Sequence, residues 1–191
     1  MGNVRWENST TLPSRNYSCG YCGQSLASEK GYRGRPDNSS SYTHLLYFCH
    51  FCDGPTFFDN QGKQWPGSPF RGAVADIPEK SVSDLYNEAR YAFGAGAFTA
   101  TVLSCRKLLM HISVTKGAKP GQDFFSYVDF LSANHYVPPG SELWVDKIRT
   151  KGNEANHEIN IMARQEAEDM LSFCEMLLRI IFEFPAKAKK A

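Results

Sequence analysis

Two Cys-x-x-Cys pairs, Cys19/Cys22 and Cys49/Cys52, carry the plainest chemistry in this sequence. Each pair is followed by residues suited to a tight turn, Gly23 after the first and Asp53-Gly54 after the second. Thiolates are soft ligands, and four at this spacing can close a tetrahedral shell around Zn²⁺ with Zn–S bonds near ~2.3 Å. A closed shell leaves no position for a substrate. Zn²⁺ is therefore expected as a structural cofactor that holds the N-terminal third together. The competing reading of the same cysteines is a disulfide framework, which belongs to secreted chains. The N-terminal segment shows no signal-peptide pattern, so a reduced, cytoplasmic setting is expected. His50, inside the second knuckle, reads as a bystander.

A second constellation lies in the stretch from Asp146 to Glu158. If that stretch is helical, Arg149, Asn153 and His157 follow one another at i, i+4 and i+8. Their side chains then span only about 80° of the helix, and Asn156 falls within about 20° of Arg149. Guanidinium can hold a phosphoryl oxygen bidentately, and imidazole can move a proton near neutral pH. Such a face could recognise phosphate and base; equally, it could be the ordinary solvated face of an amphipathic helix. Arg106-x-x-x-x-His111 has a similar composition. On one helix those two residues stand about 140° apart and cannot converge, so Arg106 reads as a pocket residue and His111 as structural.

The elements that must position these groups are legible in outline. At 191 residues and 42% hydrophobic, the chain has room for a small domain and a larger one. The net charge of +1 excludes a polybasic nucleic-acid protein but not a local binding patch. The longest apolar stretch, Met170 to Phe184, is interrupted by Glu175 and Arg179, so no membrane span is expected. The fold class predicted is α+β, mainly α. Residues 1–62 read as a β zinc ribbon, with a strand over Thr43–Phe48 and a hairpin turning at Asn60-Gln61-Gly62. Tyr17, Tyr21, Tyr32, Tyr47, Phe51, Phe57 and Phe58 crowd this segment beside Arg33 and Arg35. They suit either a small aromatic core, the favoured reading, or base stacking with phosphate contacts.

Residues 63–80, rich in Pro and Gly, read as a linker. Residues 81–187 read as a bundle of five helices. The second helix, from about Phe98 to Thr115, is expected to bury Val102, Leu103, Leu109 and Ile112. Asp123 is expected to cap the third and Ser141 to open the fourth. The last should run from about Ala163 to Phe184. Cys105 and Cys174 fall on apolar faces and read as inert buried thiols.

The string Arg149-x-x-Gly152-Asn153-x-x-x-His157, with Cys105-Arg106-Lys107-Leu108-Leu109 before it and the long last helix after it, resembles the signature of the bacterial family called domain of unknown function 4145. The resemblance covers roughly residues 81–185. That family is similar to the HEPN superfamily of helical bundles, many of them metal-independent ribonucleases of defence and stress systems. The resemblance implies a homodimer with RNA as substrate and a composite site between two signature helices. His157 would serve as general base and acid, Arg149 would stabilise the phosphorane and Asn153 would orient the phosphate, with Arg106 and Asn156 as substrate contacts. Gly152 stands where the superfamily's arginine would be, so the role passes to Arg149 one turn earlier. The alternative is a non-catalytic module that dimerises and binds nucleic acid or a protein partner.

Overall fold

The computed structural model describes residues 4–9, 11–157 and 160–190; the side chains at positions 4, 9 and 152–157 lie outside that description. The chain divides into two compact units, Met1–Arg71 and Gly72–Ala191.

The first unit is built from seven strands: β1 (Val4–Ser9), β2 (Arg15–Ser18), β3 (Ser25–Ser28), β4 (Gly31–Pro36), β5 (His44–Phe48), β6 (Pro55–Phe58) and β7 (Gln64–Trp65). Five of them form an antiparallel sheet in the order β1-β4-β5-β6-β7, and β2 and β3 form a separate hairpin. Successive side chains in a strand point to opposite faces. In β5 and β6 this sends Leu45, Tyr47, Thr56 and Phe58 to one side. Tyr47 and Phe58 there join Leu12, Tyr17, Leu26, Cys19 and Cys49 in the buried cluster, with Leu45 packed against it. The Tyr47 hydroxyl is satisfied by the Pro13 carbonyl at 2.8 Å, so its ring can be buried without an orphaned polar group.

The stretch read as a linker begins inside this unit. β7 pairs with β6, Phe57 facing Trp65 and Phe58 facing Gln64. The Gln64 amide donates to the Ser18 carbonyl at 2.7 Å, Ser68 Oγ donates to the same carbonyl at 2.8 Å, and Phe70 is buried. Pro and Gly content signals loop geometry. It does not report whether a loop is packed, and here side-chain hydrogen bonds hold the segment to the ribbon.

The second unit is helical: α1 (Lys80–Gly94), α2 (Phe98–Thr115), α3 (Phe124–Ala133), α4 (Glu142–His157) and α5 (Arg164–Leu178). A π-helical turn, Arg179–Glu183, then leads into α6 (Phe184–Lys190). With α5, the turn and α6 taken as one rod, the described residues form five rods. α2 is central and packs on α1, α3, α4 and α5. Val102, Cys105, Leu108, Leu109 and Ile112 are fully buried on it at helical spacing. Leu103, expected in the core, is 39% exposed, whereas Leu108, on another part of the helix surface, is fully buried. Asp123 caps α3 as expected, its carboxylate accepting from the Ser126 N–H at 2.7 Å. At the start of α5 the Glu166 carboxylate reaches back to the Ala163 N–H at 2.7 Å.

The π turn stands directly ahead of Pro185, whose ring would meet the Ile181 carbonyl in a regular α-helix. It also aligns a charged ladder. Arg179 donates to Glu175 at 2.9 Å and to Glu183 at 2.6 Å, and Glu183 accepts from Lys187 at 2.6 Å. Both glutamates are buried. No helix among the described residues is long and apolar enough to cross a membrane.

Candidate functional site

The two knuckles fold alike. In each, the N–H of the residue after the second cysteine returns to the carbonyl of the first, Gly23 to Cys19 at 2.9 Å and Asp53 to Cys49 at 2.8 Å. Both turning residues have positive φ, 75° at Gly23 and 56° at Asp53, which accounts for Gly at one and Asp at the other. Gly54 is needed for a different reason: a Cβ there would lie 2.5 Å from the Tyr21 ring.

These turns bring the sulfurs of Cys19, Cys22, Cys49 and Cys52 within 4.8 Å of one another. The Cys19–Cys52 and Cys22–Cys49 Sγ separations are both 3.7 Å. A tetrahedron with metal–sulfur bonds of ~2.3 Å has edges of about 3.8 Å, so the cage has the dimensions of a four-thiolate metal site. Cys19 and Cys49 are buried, while Cys22 and Cys52 reach the surface. All six cysteines are free thiols.

Four thiols this close cannot all ionise unaided. At Cys49, burial opposes ionisation, but the N–H groups of Phe51 and Cys52 outweigh it and bring the thiol down to about 7. At Cys52 the Gly54 N–H favours the thiolate, yet burial and the neighbouring thiols push it up to about 12. A cation at the centre would remove this conflict. His50 is not in the cluster; its ring packs on Phe51 at 4.3 Å.

The reverse of the core-facing sheet surface carries a feature the sequence reading missed. Strand register puts Asn8, Tyr32, Leu46, Phe57 and Trp65 in one row across all five strands, and Trp6, Gly34 and His44 in the next. Gly34 offers no side chain between its two neighbours. The Trp6 indole sits at 6.4 Å from His44 and 5.8 Å from Phe57, edge-on to each. His44 and Phe57 are parallel within 6° at 5.9 Å, and Tyr32 meets Phe48 at 6.1 Å.

These rings are not a core. Trp6 and Trp65 are each 43% exposed, and Phe48 is 40% exposed. Lys63 Nζ lies 4.2 Å from the Trp65 ring, and the Trp65 N–H points to Asp59 at 3.5 Å. The crowded aromatics thus divide: Tyr17, Tyr47 and Phe58 form the core, and Tyr32 and Phe57 join the open face. Arg33 and Arg35 fall on the opposite face by the same alternation. There they neighbour Glu7 at 3.6 and 3.7 Å, and Arg33 also stacks on Tyr42. The signal available in the sequence was the alternation Arg5-Trp6-Glu7-Asn8 in β1, which its polarity disguised.

In the helical unit, α4 runs unbroken from Glu142 to His157. Its backbone therefore carries Arg149, Asn153 and His157 at successive turns. The Asn153, Asn156 and His157 side chains lie outside the described residues. Arg149 is described, and it is engaged. Its guanidinium pairs with Asp129 of α3 and with Asp146 one turn back at 2.5 Å, and lies 4.6 Å from the Phe125 ring. Lys147 pairs with Asp169, and Lys151 with Glu166 at 2.9 Å, so α4 is stitched to α5 on its other flank.

Arg106 lies over the buried Phe124 ring at 4.5 Å, where burial pulls it below the ordinary arginine value against the opposing charge of Asp123. His111 is not in an apolar environment; its Nε2 sits 3.0 Å from Glu79 at the start of α1. Arg106 and His111 point to different partners, as the 140° separation requires.

The sequence model of a family described as Domain of unknown function (DUF4145) matches residues 87–191. The chain belongs to that family. No curated protein and no solved structure matches it.

Proposed function

We propose that this member of the DUF4145 family is a binding protein for single-stranded nucleic acid, with RNA as the first candidate, and that its zinc ribbon supplies the recognition surface. One observation carries the reading: Trp6, Tyr32, His44, Phe48, Phe57 and Trp65 share one open sheet face. This surface is rich in flat rings, with Leu46 as the aliphatic member of its central row. Bases without a pairing partner stack on such rings irrespective of sequence, and a nearby cation such as Lys63 meets the backbone. The metal assigned to the four cysteines is Zn²⁺, in a closed structural role that fixes β5 and β6 through the second knuckle.

The test is fluorescence anisotropy of labelled U₁₂ and dT₁₂ with full-length, metal-loaded protein. Trp6→Ala and Trp65→Ala should each weaken binding by about tenfold, since one stacked base contributes ~1–3 kcal/mol. Equal binding by wild type and both variants, or none by wild type, would overturn the reading.

A second reading places HEPN-like RNA cleavage on α4. The continuity of α4 from Arg149 to His157 favours it. Against it, Arg149 already holds two carboxylates, which compete with any phosphate. Cleavage of labelled RNA without added divalent ions, lost in His157→Ala, would establish it. A composite site would also need a second copy of the chain. Leu143 and Ile161, 88% and 84% exposed, are apolar side chains that copy could cover, and light scattering at tens of micromolar tests the assembly.

A further inference from the structure

His44 differs from every other ring on the sheet face because it can acquire a charge. It lies within the cluster, between the parallel Phe57 ring and the edge of Trp6, and its Nδ1 is 3.0 Å from Thr43 Oγ1. Among the described residues its Nε2 has no hydrogen-bond partner. We propose that His44 is the proton-sensitive centre of the aromatic platform, so that protonation strengthens its hold on single-stranded nucleic acid. This rests on the binding function proposed above and adds its control.

The surroundings make the effect specific to this ring. From β1 and β6 the groups facing it are the Trp6 and Phe57 rings, and from β4 it faces Gly34, which has no side chain. The charged residues of the flanking strands, Arg5, Glu7, Arg33 and Arg35, project from the reverse face by register. Asp59, the residue after β6, follows opposite His44 on this face by the same register, its carboxylate accepting from the Gln61 and Lys63 N–H groups at 2.9 Å and facing the Trp65 N–H at 3.5 Å, and Lys63 lies over Trp65. Among the described residues no carboxylate pairs with the imidazole, and that of Asp59 is already held by two backbone N–H groups, so a new positive charge at His44 is available to an incoming phosphate or base. Imidazole is the side chain whose ordinary titration falls between pH 5 and 8. In its charged form it adds a cation to the binding surface and turns its stacking contact with a base into a cation–π contact.

The experiment is U₁₂ and dT₁₂ anisotropy with the full chain, metal-loaded, at pH 6.0 and 8.0 across a salt series. Wild type should bind on the order of threefold to tenfold tighter at pH 6.0. The slope of log affinity against log salt should steepen by about 0.7, the increment for one added contact on a single strand. His44→Phe keeps a flat ring in place and should bind equally at both pH values, as should His44→Gln with lower affinity. The same affinity at both pH values in wild type, or a pH response that survives in His44→Phe, overturns the inference while leaving the platform intact. Failure of wild type to bind either oligonucleotide at any pH overturns the binding function itself and this control with it. A response confined to U₁₂ would identify RNA as the ligand, and one shared with dT₁₂ would identify the single strand of either kind.

Discussion

Removing the metal should unfold the ribbon and leave the helices standing. The non-ligand members of the ribbon's buried cluster are Leu12, Tyr17, Leu26, Tyr47 and Phe58, a small core for seventy residues. A metal-loaded domain of ordinary stability lies about 5–10 kcal/mol below its unfolded state. A four-cysteine site contributes an apparent ~10–16 kcal/mol near neutral pH, so withdrawing it places the ribbon at or beyond the unfolding midpoint. The helical unit has its own buried spine on α2 and α5 and contains none of the four ligands. Trp144→Phe leaves Trp6 and Trp65 as the tryptophan reporters, both in the ribbon. In that variant, a strong chelator with a mercurial thiol reagent should release one zinc per chain, red-shift tryptophan emission and leave the helical circular dichroism near 222 nm unchanged. Cys49→Ser should reproduce the result without chelator. Unchanged emission after complete metal release would refute the reasoning, because it would mean that five apolar side chains hold the sheet alone. Release of a metal other than zinc would refute the identity of the ion but not the role of the cage.

The other perturbations act on the helical unit. Arg149→Ala should lower stability by about 1 kcal/mol in urea denaturation, because it removes the partner of Asp129 and Asp146, two carboxylates that water can also reach; an unchanged midpoint would mean the guanidinium is free for a ligand. Arg179→Met should cost about 2–4 kcal/mol by removing the guanidinium that the two buried glutamates, Glu175 and Glu183, share, whereas Lys189→Met on exposed α6 should change little. The Glu166 carboxyl is held below its ordinary value first by the Ala163 N–H and then by Lys151, so it binds protons less readily folded than unfolded. Its contribution is therefore complete above about pH 4.5 and is lost as pH falls further, and Glu166→Gln should flatten the acid limb of a stability–pH profile.

How far the sequence reveals this architecture depends on the kind of signal each element carries. The helices announce themselves because burial on one side repeats every three or four residues, and α2 falls at Phe98–Thr115 as its apolar period predicts. The knuckles announce themselves because ligand spacing is dictated by the metal. β1, β2, β3 and β4 do not. Arg15-Asn16-Tyr17-Ser18 and Ser25-Leu26-Ala27-Ser28 each place only one buried residue, too short an alternation to separate from loop. Their pairing is long-range, and register between strands leaves no mark in either strand alone. Leu103 shows the limit even in a strong helix: at the edge of an apolar stripe, neighbouring helices decide which residue is covered.

The candidate sites follow the same rule. The four ligands were legible because one ion imposes one pattern, while the aromatic face was not, because it exists only once five strands are in register. Composition showed seven aromatics beside two arginines, which suited a small aromatic core, the favoured reading, or base stacking with phosphate contacts from Arg33 and Arg35. Alternation separates them: with Tyr32 and Gly34 on the open face, residues 33 and 35 must point the other way, toward Glu7. The α4 string raises the converse problem. Helical spacing puts the backbone positions of Arg149, Asn153 and His157 at successive turns of α4, but spacing along one helix carries no information about the acids on its neighbours. Asp129 on α3 decides what Arg149 is available to do. Asp169 and Glu166 on α5 do the same for Lys147 and Lys151. All the cations of α4 whose side chains are described are thus paired internally, whereas the aromatic face of the ribbon keeps its rings open. That contrast in availability, more than the motif, is what supports the proposal that recognition lies on the ribbon.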